Sequence, residues 1–340
     1  MKAIRITLFS FAVLLAGVGV LVATLFWVRD DMDKFSGYFL SAGSPGAEAV
    51  TVTYMGNMNL LVSDGSTSFM IDGWFTRPST VELLTGKIGP DMDAIAAGMA
   101  RGGVSDLVAV IPVHSHYDHA MDSPEVARRT GAVLIGSEST ANIGRGWGLP
   151  EEQIRLVVPE EPMTFGDFTV TLIPSRHFEF PNENMRAAAL EDPVITEPLV
   201  PPVSAFDYKM GGAYSVHIVH PLGSMLIQGS AGYVTGALDQ VRADVVMLGV
   251  GGVAAQTEKY KQEYWEQVVR VVRPTRVFPS HYDSLTDPLS DKPVMPNLLW
   301  SRMLDFQGEA GIQYALDHAR EDGIEAALLP MWEPVVLFEK

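Results

Sequence analysis

The chain has 340 residues, 47 % hydrophobic and 19 % charged, which provides for a sizeable core and argues against broad disorder. A formal charge of −17 speaks against nucleic acid as a partner, because phosphates demand a Lys/Arg surface. The absence of cysteine excludes disulfides, thiolate metal sites, thiol nucleophiles and lipidation on cysteine, so any metal must be held by His, Asp or Glu.

At the N-terminus, Lys2 and Arg5 precede an uncharged run from Ile6 to Val28. The run exceeds the roughly 7–15 residues of a signal-peptide core and reaches the roughly 20 that span a bilayer as a helix. It ends in TLFWVRDD, which has no small-x-small cleavage site, and Trp27 stands where an interfacial anchor would. Residues 1–29 are therefore expected to be a membrane anchor, the alternative being a signal peptide cleaved on secretion. With Lys2 and Arg5 cytoplasmic, the rest of the chain would lie on the periplasmic or extracellular side. Residues 30–49, charged and then rich in Gly, Ser and Pro, read as a linker. Residues 50–340 form the expected folded domain.

Strand-like runs at 59–62 and 67–71 flank Asp64-Gly65, a hairpin signal whose usual turn needs positive φ at both central positions. DMDAIAAGMARGG reads as a helix stopped by Gly102-Gly103, and the apolar strand LVAVIPV follows. Ser123-Pro124 read as N-cap and first turn of a helix stopped at Gly131. AVLIG and IRLVV are short strands, and FTVTLIP alternates as a half-exposed one. Residues 181–212 hold Pro181, Pro193, Pro198, Pro201 and Pro202 and show no period; a stretch this long is expected to be a lid or binding loop. AYSVHIVH, SMLIQGS and DVVMLGVGG are strand-like, a helix is expected over 257–272, and TRVFPSHYD is a strand ending in His281. A helix over 310–322 and the strand-like AALLP and VVLF complete the pattern. Helices interleaved with apolar strands mean α/β layers.

The strand LVAVIPV runs into HSHYDHA. Side chains two apart on an extended segment share a side, so His114 and His116 can aim at one point. Asp118 and His119, where the chain turns toward the next helix, can aim at a second. Imidazole and carboxylate suit zinc and similar divalent ions, and two such points would give a two-metal site with ions about 3.5–4 Å apart. His177 and His281 also stand at strand ends. His217, His220 and His318 read as structural.

This pattern resembles the metallo-β-lactamase-fold hydrolases, whose signature is His-x-His-x-Asp-His after a strand; the resemblance covers roughly residues 50 to 335. Within that superfamily it is similar to the branch of ascorbate-lactone hydrolases and N-acyl-phosphatidylethanolamine phospholipase D type enzymes, whose opening hairpin MGNMNLLVSDGSTSFMIDG resembles. The resemblance implies a four-layer αβ/βα sandwich and six metal ligands. IPSRHF supplies His177 and FPSHYD supplies His281. One metal would sit on His114, His116 and His177, the other on Asp118, His119 and His281. The ions would be one or two zinc, with iron or manganese as alternatives. Asp72 matches the aspartate ending the second strand, the expected acceptor for a ligand imidazole. The family's metal-bridging aspartate is missing: IQGSAGY puts Ser230 there. A subclass of true metallo-β-lactamases resembles the chain in this serine, which tilts the expected chemistry toward carbonyl groups.

The expectation is thus a zinc-dependent hydrolase in which metal-held hydroxide attacks an ester, lactone, amide or lactam, with Asp118, Ser230 and Asp72 as candidate catalytic residues. The alternatives are a phospholipid phosphodiesterase, a mononuclear-iron oxidoreductase, or a metal-binding domain without turnover. The substrate is expected to be small or lipid-like. Phe178, Phe180, Phe206 and Tyr208 either touch it or pack the proline-rich loop onto the body, and Trp147 carries the same ambiguity.

Overall fold

Two seven-stranded sheets face one another in the computed structural model, which describes residues 2–43, 46, 48–303 and 306–340. Ser44, Pro45 and Ala47, in the stretch read as linker, lie outside the described residues, as do the side chains of Lys2 and Arg5. In chain order the strands of the first half are β1 (Ala49–Tyr54), β2 (Leu60–Ser63), β3 (Ser68–Ile71), β4 (Ala109–Ile111), β5 (Val133–Gly136) and β6 (Ile154–Leu156). Those of the second are β7 (Met163–Phe165), β8 (Phe168–Pro174), β9 (Tyr214–His220), β10 (Gly223–Gln228), β11 (Val245–Gly249), β12 (Arg276–Ser280), β13 (Glu325–Ala326) and β14 (Pro334–Glu339). One sheet has the order β14-β1-β2-β3-β4-β5-β6 and the other β13-β12-β11-β10-β9-β8-β7.

Strand alternation builds the layers. On β3, Phe69 and Ile71 point between the sheets while Met70 points outward; on β4, Ile111 points in and Val110 out. Phe69 meets Phe168 of the opposite sheet edge to face, ring centroids 5.2 Å apart. Truncating either ring would cost about 3–5 kcal/mol, since neither neighbour can follow into the void. Ile95, Met99 and Val126, from helices Met92–Gly102 and Ser123–Thr130, cover the outward residues of the first sheet. Trp265 and Ile312, from helices Glu258–Trp265 and Gly308–Asp322, cover the second. The α/β expectation holds as helix, sheet, sheet, helix.

Local expectations needed correction where side chains did the work of backbone. Between β2 and β3 only Gly65 has positive φ; Asp64 instead accepts hydrogen bonds from the Ser66 and Thr67 amides at 2.8 and 2.6 Å, closing a longer turn. Helix Ser123–Thr130 is preceded by Asp122, and Ser123 is its first residue rather than its cap. The proline-rich stretch contains a helix, Glu183–Leu190, capped by the Asn182 side chain on the Met185 amide at 3.1 Å. Within 30–49, Met32–Tyr38 form a 3-10 turn with Phe35 buried, and the Leu40 amide donates to Leu328 O, so that part packs on the body.

Helix Lys2–Trp27 contains the stretch Phe9–Trp27, long and apolar enough to cross a membrane and with none of its residues buried, Leu25 and Phe26 alone being half-buried at its end. Arg29 then grips Asp287 through two contacts of 2.6 and 2.7 Å. The ends of β3, β4, β8, β10 and β12 gather Asp72, the 114–119 segment, His177, Ser230 and His281 at one edge, the usual place for a site in parallel sheets.

Candidate metal centre

The β4 end places His114 on the sheet edge, and a one-turn helix, Tyr117–Ala120, swings Asp118 and His119 inward. His177 follows β8 and His281 follows β12, the latter at φ 59. The chain bends there at a non-glycine residue because its amide is tied to Asn57 O at 2.9 Å. Two three-residue groups result, His114 with His116 and His177, and Asp118 with His119 and His281; the donor atoms within each lie within 4.8 Å of one another.

Hydrogen bonds assign the ring tautomers. His116 Nε2 donates to Ala189 O at 3.1 Å, which leaves Nδ1 as a lone pair facing His114 Nε2 at 3.0 Å. His177 Nδ1 donates to Phe178 O at 2.7 Å, freeing Nε2. His119 Nδ1 donates to Asp72 Oδ2 at 2.6 Å, and its Nε2 faces His281 Nε2 at 3.2 Å. Asp118 Oδ2 stands 3.4 Å from the first of these nitrogens and 3.3 Å from the second. Ligand bonds of about 2.0–2.2 Å in a tetrahedron put neighbouring donors roughly 3.3–3.6 Å apart, so this triangle has the size of one face of a zinc-type site. His116, His119 and His177 turn a lone pair inward, and carboxylate and imidazole donors that converge in this way fit a divalent cation.

Charge agrees with that fit. Burial pushes His114 and His177 well below the usual imidazole range, the neighbouring rings adding to the effect, and burial lowers His116 too. These rings are neutral, the ligand form, at neutral pH. Burial opposes a charge on His119, but Asp72 and Asp118 outweigh it and hold this imidazole up. Burial likewise opposes a charge on Asp118, yet His119 and His281 hold its carboxyl well below the carboxylate range. Asp72 is raised by its own burial, despite accepting from His119 and from the Val113 amide at 3.0 Å.

The chain's residues 53–237 match the sequence profile of the metallo-beta-lactamase superfamily. The chain belongs to this superfamily. It is 30 % identical over 91 residues to a protein of Heliobacterium modesticaldum described as a UPF0173 metal-dependent hydrolase, a match covering 27 % of this chain and 31 % of that relative. Igni18, a metallo hydrolase from the archaeon Ignicoccus hospitalis, is similar in fold at a TM-score of 0.50 and 15 % identity, over 86 % of this chain and all of its own. CmlA, a diiron β-hydroxylase from Streptomyces venezuelae, aligns at a TM-score of 0.49 and 11 % identity over 87 % of this chain and 55 % of its own.

The remaining superfamily positions differ in what they touch. The Ser230 hydroxyl accepts from the Phe178 amide at 3.3 Å, next in sequence to His177. Phe178, Phe180, Phe206 and Tyr208 all line the pocket above the ligands. Trp147 lies elsewhere, its Nε1 donating to buried Glu125 at 2.9 Å. His217 donates to Arg242 O at 2.9 Å, His318 to Tyr314 O at 3.0 Å, and His220 packs on Phe168; none joins the two groups. Sequence reasoning missed three supports. Asn57 Nδ2 donates to Asp118 O at 2.6 Å; Asp283 accepts from the Asn57 amide and the Tyr54 hydroxyl at 2.6 and 2.7 Å; Ala189 O fixes His116. The Gly56-Asn57 pair, both at positive φ, was the available signal for the first, since such pairs mark tight turns.

Proposed function

We propose that the chain is a metal-dependent hydrolase, zinc-loaded, acting on a carbonyl substrate such as an ester, lactone, amide or lactam. The observation that carries this reading is the pair of three-donor groups at the base of a pocket, three of whose imidazoles are held with a lone pair turned inward, in a chain of this superfamily. His114, His116 and His177 would hold one cation; Asp118, His119 and His281 would hold the other. A divalent ion there supplies Lewis acidity, making water nucleophilic near neutral pH and offsetting charge that develops on the carbonyl oxygen.

The chain's own residues do the rest. Ala189 O, Phe178 O and Asp72 each take a ring proton and so keep three imidazoles in their ligand tautomers. Asp118, kept ionised by His119 and His281, offers a carboxylate oxygen to orient a water. Ser230, a neutral hydroxyl where a bridging carboxylate is common, steadies the backbone that carries His177. We further propose that helix Lys2–Trp27 tethers the enzyme to a membrane, with residues 30–49 as the link to a catalytic domain beyond it on the periplasmic or extracellular side.

Metal content by mass spectrometry on the purified full-length chain, paired with a panel of chromogenic substrates, tests the reading. One to two zinc per chain is expected, with turnover of an ester, lactone or β-lactam that is lost to a chelator and restored by zinc. Iron as the resident metal, or turnover confined to bis(p-nitrophenyl) phosphate, would overturn it.

A further inference from the structure

The floor of the pocket is polar and its walls are not. Above His116, Asp118, His177 and His281 lies a space of about 830 Å³, mouth included, walled by Leu83, Leu84, Phe180, Met185, Phe206 and Trp300 among others. Among the described residues no lysine or arginine lines it. A phosphate or carboxylate held against these walls, away from the cations the floor would hold, would shed water and meet no cationic side chain in return. An acyl chain would gain, each buried methylene multiplying affinity about fourfold.

The pocket rim is joined to the end of the apolar helix. Past Trp27, Val28 O accepts from the Leu298 amide at 3.0 Å, and Arg29 pairs with Asp287, two residues after the pocket residue Leu285. Helix Leu298–Met303 carries Trp300, whose Nε1 donates to Thr80 Oγ1 at 2.9 Å. Thr80 begins helix Thr80–Thr85, which supplies Leu83 and Leu84 to the wall. On that same helix Val81 and Leu84 stay 63 % and 48 % exposed, apolar surface beside the mouth and on the contact path to the span. Scattered exposed apolar residues need no explanation; a pair at a pocket rim tied to an apolar span does.

We infer that this pocket takes an uncharged long-chain acyl ester or amide that enters from the bilayer in which the N-terminal helix is seated. The inference rests on the hydrolase reading and on that helix being a span. The reaction adds water: its oxygen bonds to the carbonyl carbon, the bond from that carbon to the alkoxy oxygen or amine nitrogen breaks, and a proton passes to the departing alcohol or amine.

The test uses the full-length protein in phosphatidylcholine vesicles, loaded with zinc. Between p-nitrophenyl butyrate and p-nitrophenyl dodecanoate, kcat/KM is expected to rise at least tenfold. A C12 ester ending in a carboxylate, and bis(p-nitrophenyl) phosphate, are expected to react at least tenfold more slowly than the dodecanoate. Binding is read separately, without chemistry, from the emission of neutral dansyl-dodecylamide on metal-free protein. Met185→Lys and, independently, Phe206→Glu should each weaken that binding about tenfold. Val81→Asp should lower the ratio of vesicle-borne dodecanoate turnover to soluble butyrate turnover at least threefold. Equal kcat/KM at both chain lengths with no probe binding, a preference for the anionic substrates, or an unchanged ratio in Val81→Asp would overturn the inference. Probe binding with every ester left intact would uphold the pocket assignment and sink the hydrolase reading; turnover of butyrate without probe binding would do the reverse.

Discussion

Asp72 answers two demands with two oxygens. Oδ2 accepts from His119 Nδ1 and Oδ1 from the Val113 amide, while the residue itself sits at φ 63, ending β3. An aspartate or asparagine tolerates that backbone better than most residues, because a short polar side chain can bond locally. Only the carboxylate, however, can accept on both sides. In Asp72→Asn one of the two donors must face an amide N–H, so either the ring of His119 turns or the strand end shifts. Cation affinity is therefore expected to fall about 10–100-fold, the usual range when the partner of a ligand imidazole is lost. Competition titration of the full-length protein against a chromogenic chelator measures this, and an unchanged affinity would remove Asp72 from the set of groups that position the metal ligands.

At the scale of elements, the sequence was readable wherever a backbone rule had no competitor. Gly103 and Gly131 end their helices at φ 65 and 73, as glycines free of a Cβ can. Reading failed where side chains took over backbone groups. ENMRAAAL is good helix sequence with Asn182 as its cap, but five surrounding prolines hid an eight-residue helix that nevertheless positions Ala189 O on His116. Asp122 is the sharper case. It stands where a cap belongs, yet its carboxylate accepts instead from the Phe75 and Thr76 amides and the Thr76 hydroxyl, at 2.8, 2.6 and 2.9 Å. Burial pushes this carboxyl up to about 6 from an ordinary 3.8, the three donors offsetting only part of the cost. The folded state thus holds a proton that the unfolded chain has released, so the group favours folding below about pH 4, and that contribution disappears as pH rises through 6. Wild type is expected to lose stability relative to Asp122→Asn between pH 4 and pH 7. Urea titrations of both proteins across that range check it; parallel curves would mean that the carboxyl titrates normally.

Over the whole molecule, the six donors come from both sheets, and this is what spacing could not disclose. His119 and His281 are 162 positions apart yet lie 3.2 Å apart at their Nε2 atoms, because β12, next to the outermost strand β13 of the second sheet, ends at the same edge as β4 of the first. The motif marked each histidine as a strand-end residue; only the packing of Phe69 and Ile71 against Phe168 and its neighbours brings the two ends into register. A cation held across that seam would bind the folded chain alone, since the unfolded one scatters its donors. Mass action then adds RT ln(1 + [L]/Kd), about 2.7 kcal/mol at a free concentration one hundred times Kd. At about 2–4 °C per kcal/mol for a domain of 150–250 residues, stripping the metal should lower Tm by roughly 5–10 °C. Because the ligands join both sheets, the transition should move as one step without splitting into two. Scanning calorimetry of the zinc-loaded and chelated full-length protein reads both features. An unmoved Tm would place the cation outside the seam, and a second, lower transition on chelation would mean that the sheets unfold independently once their shared ligands are free.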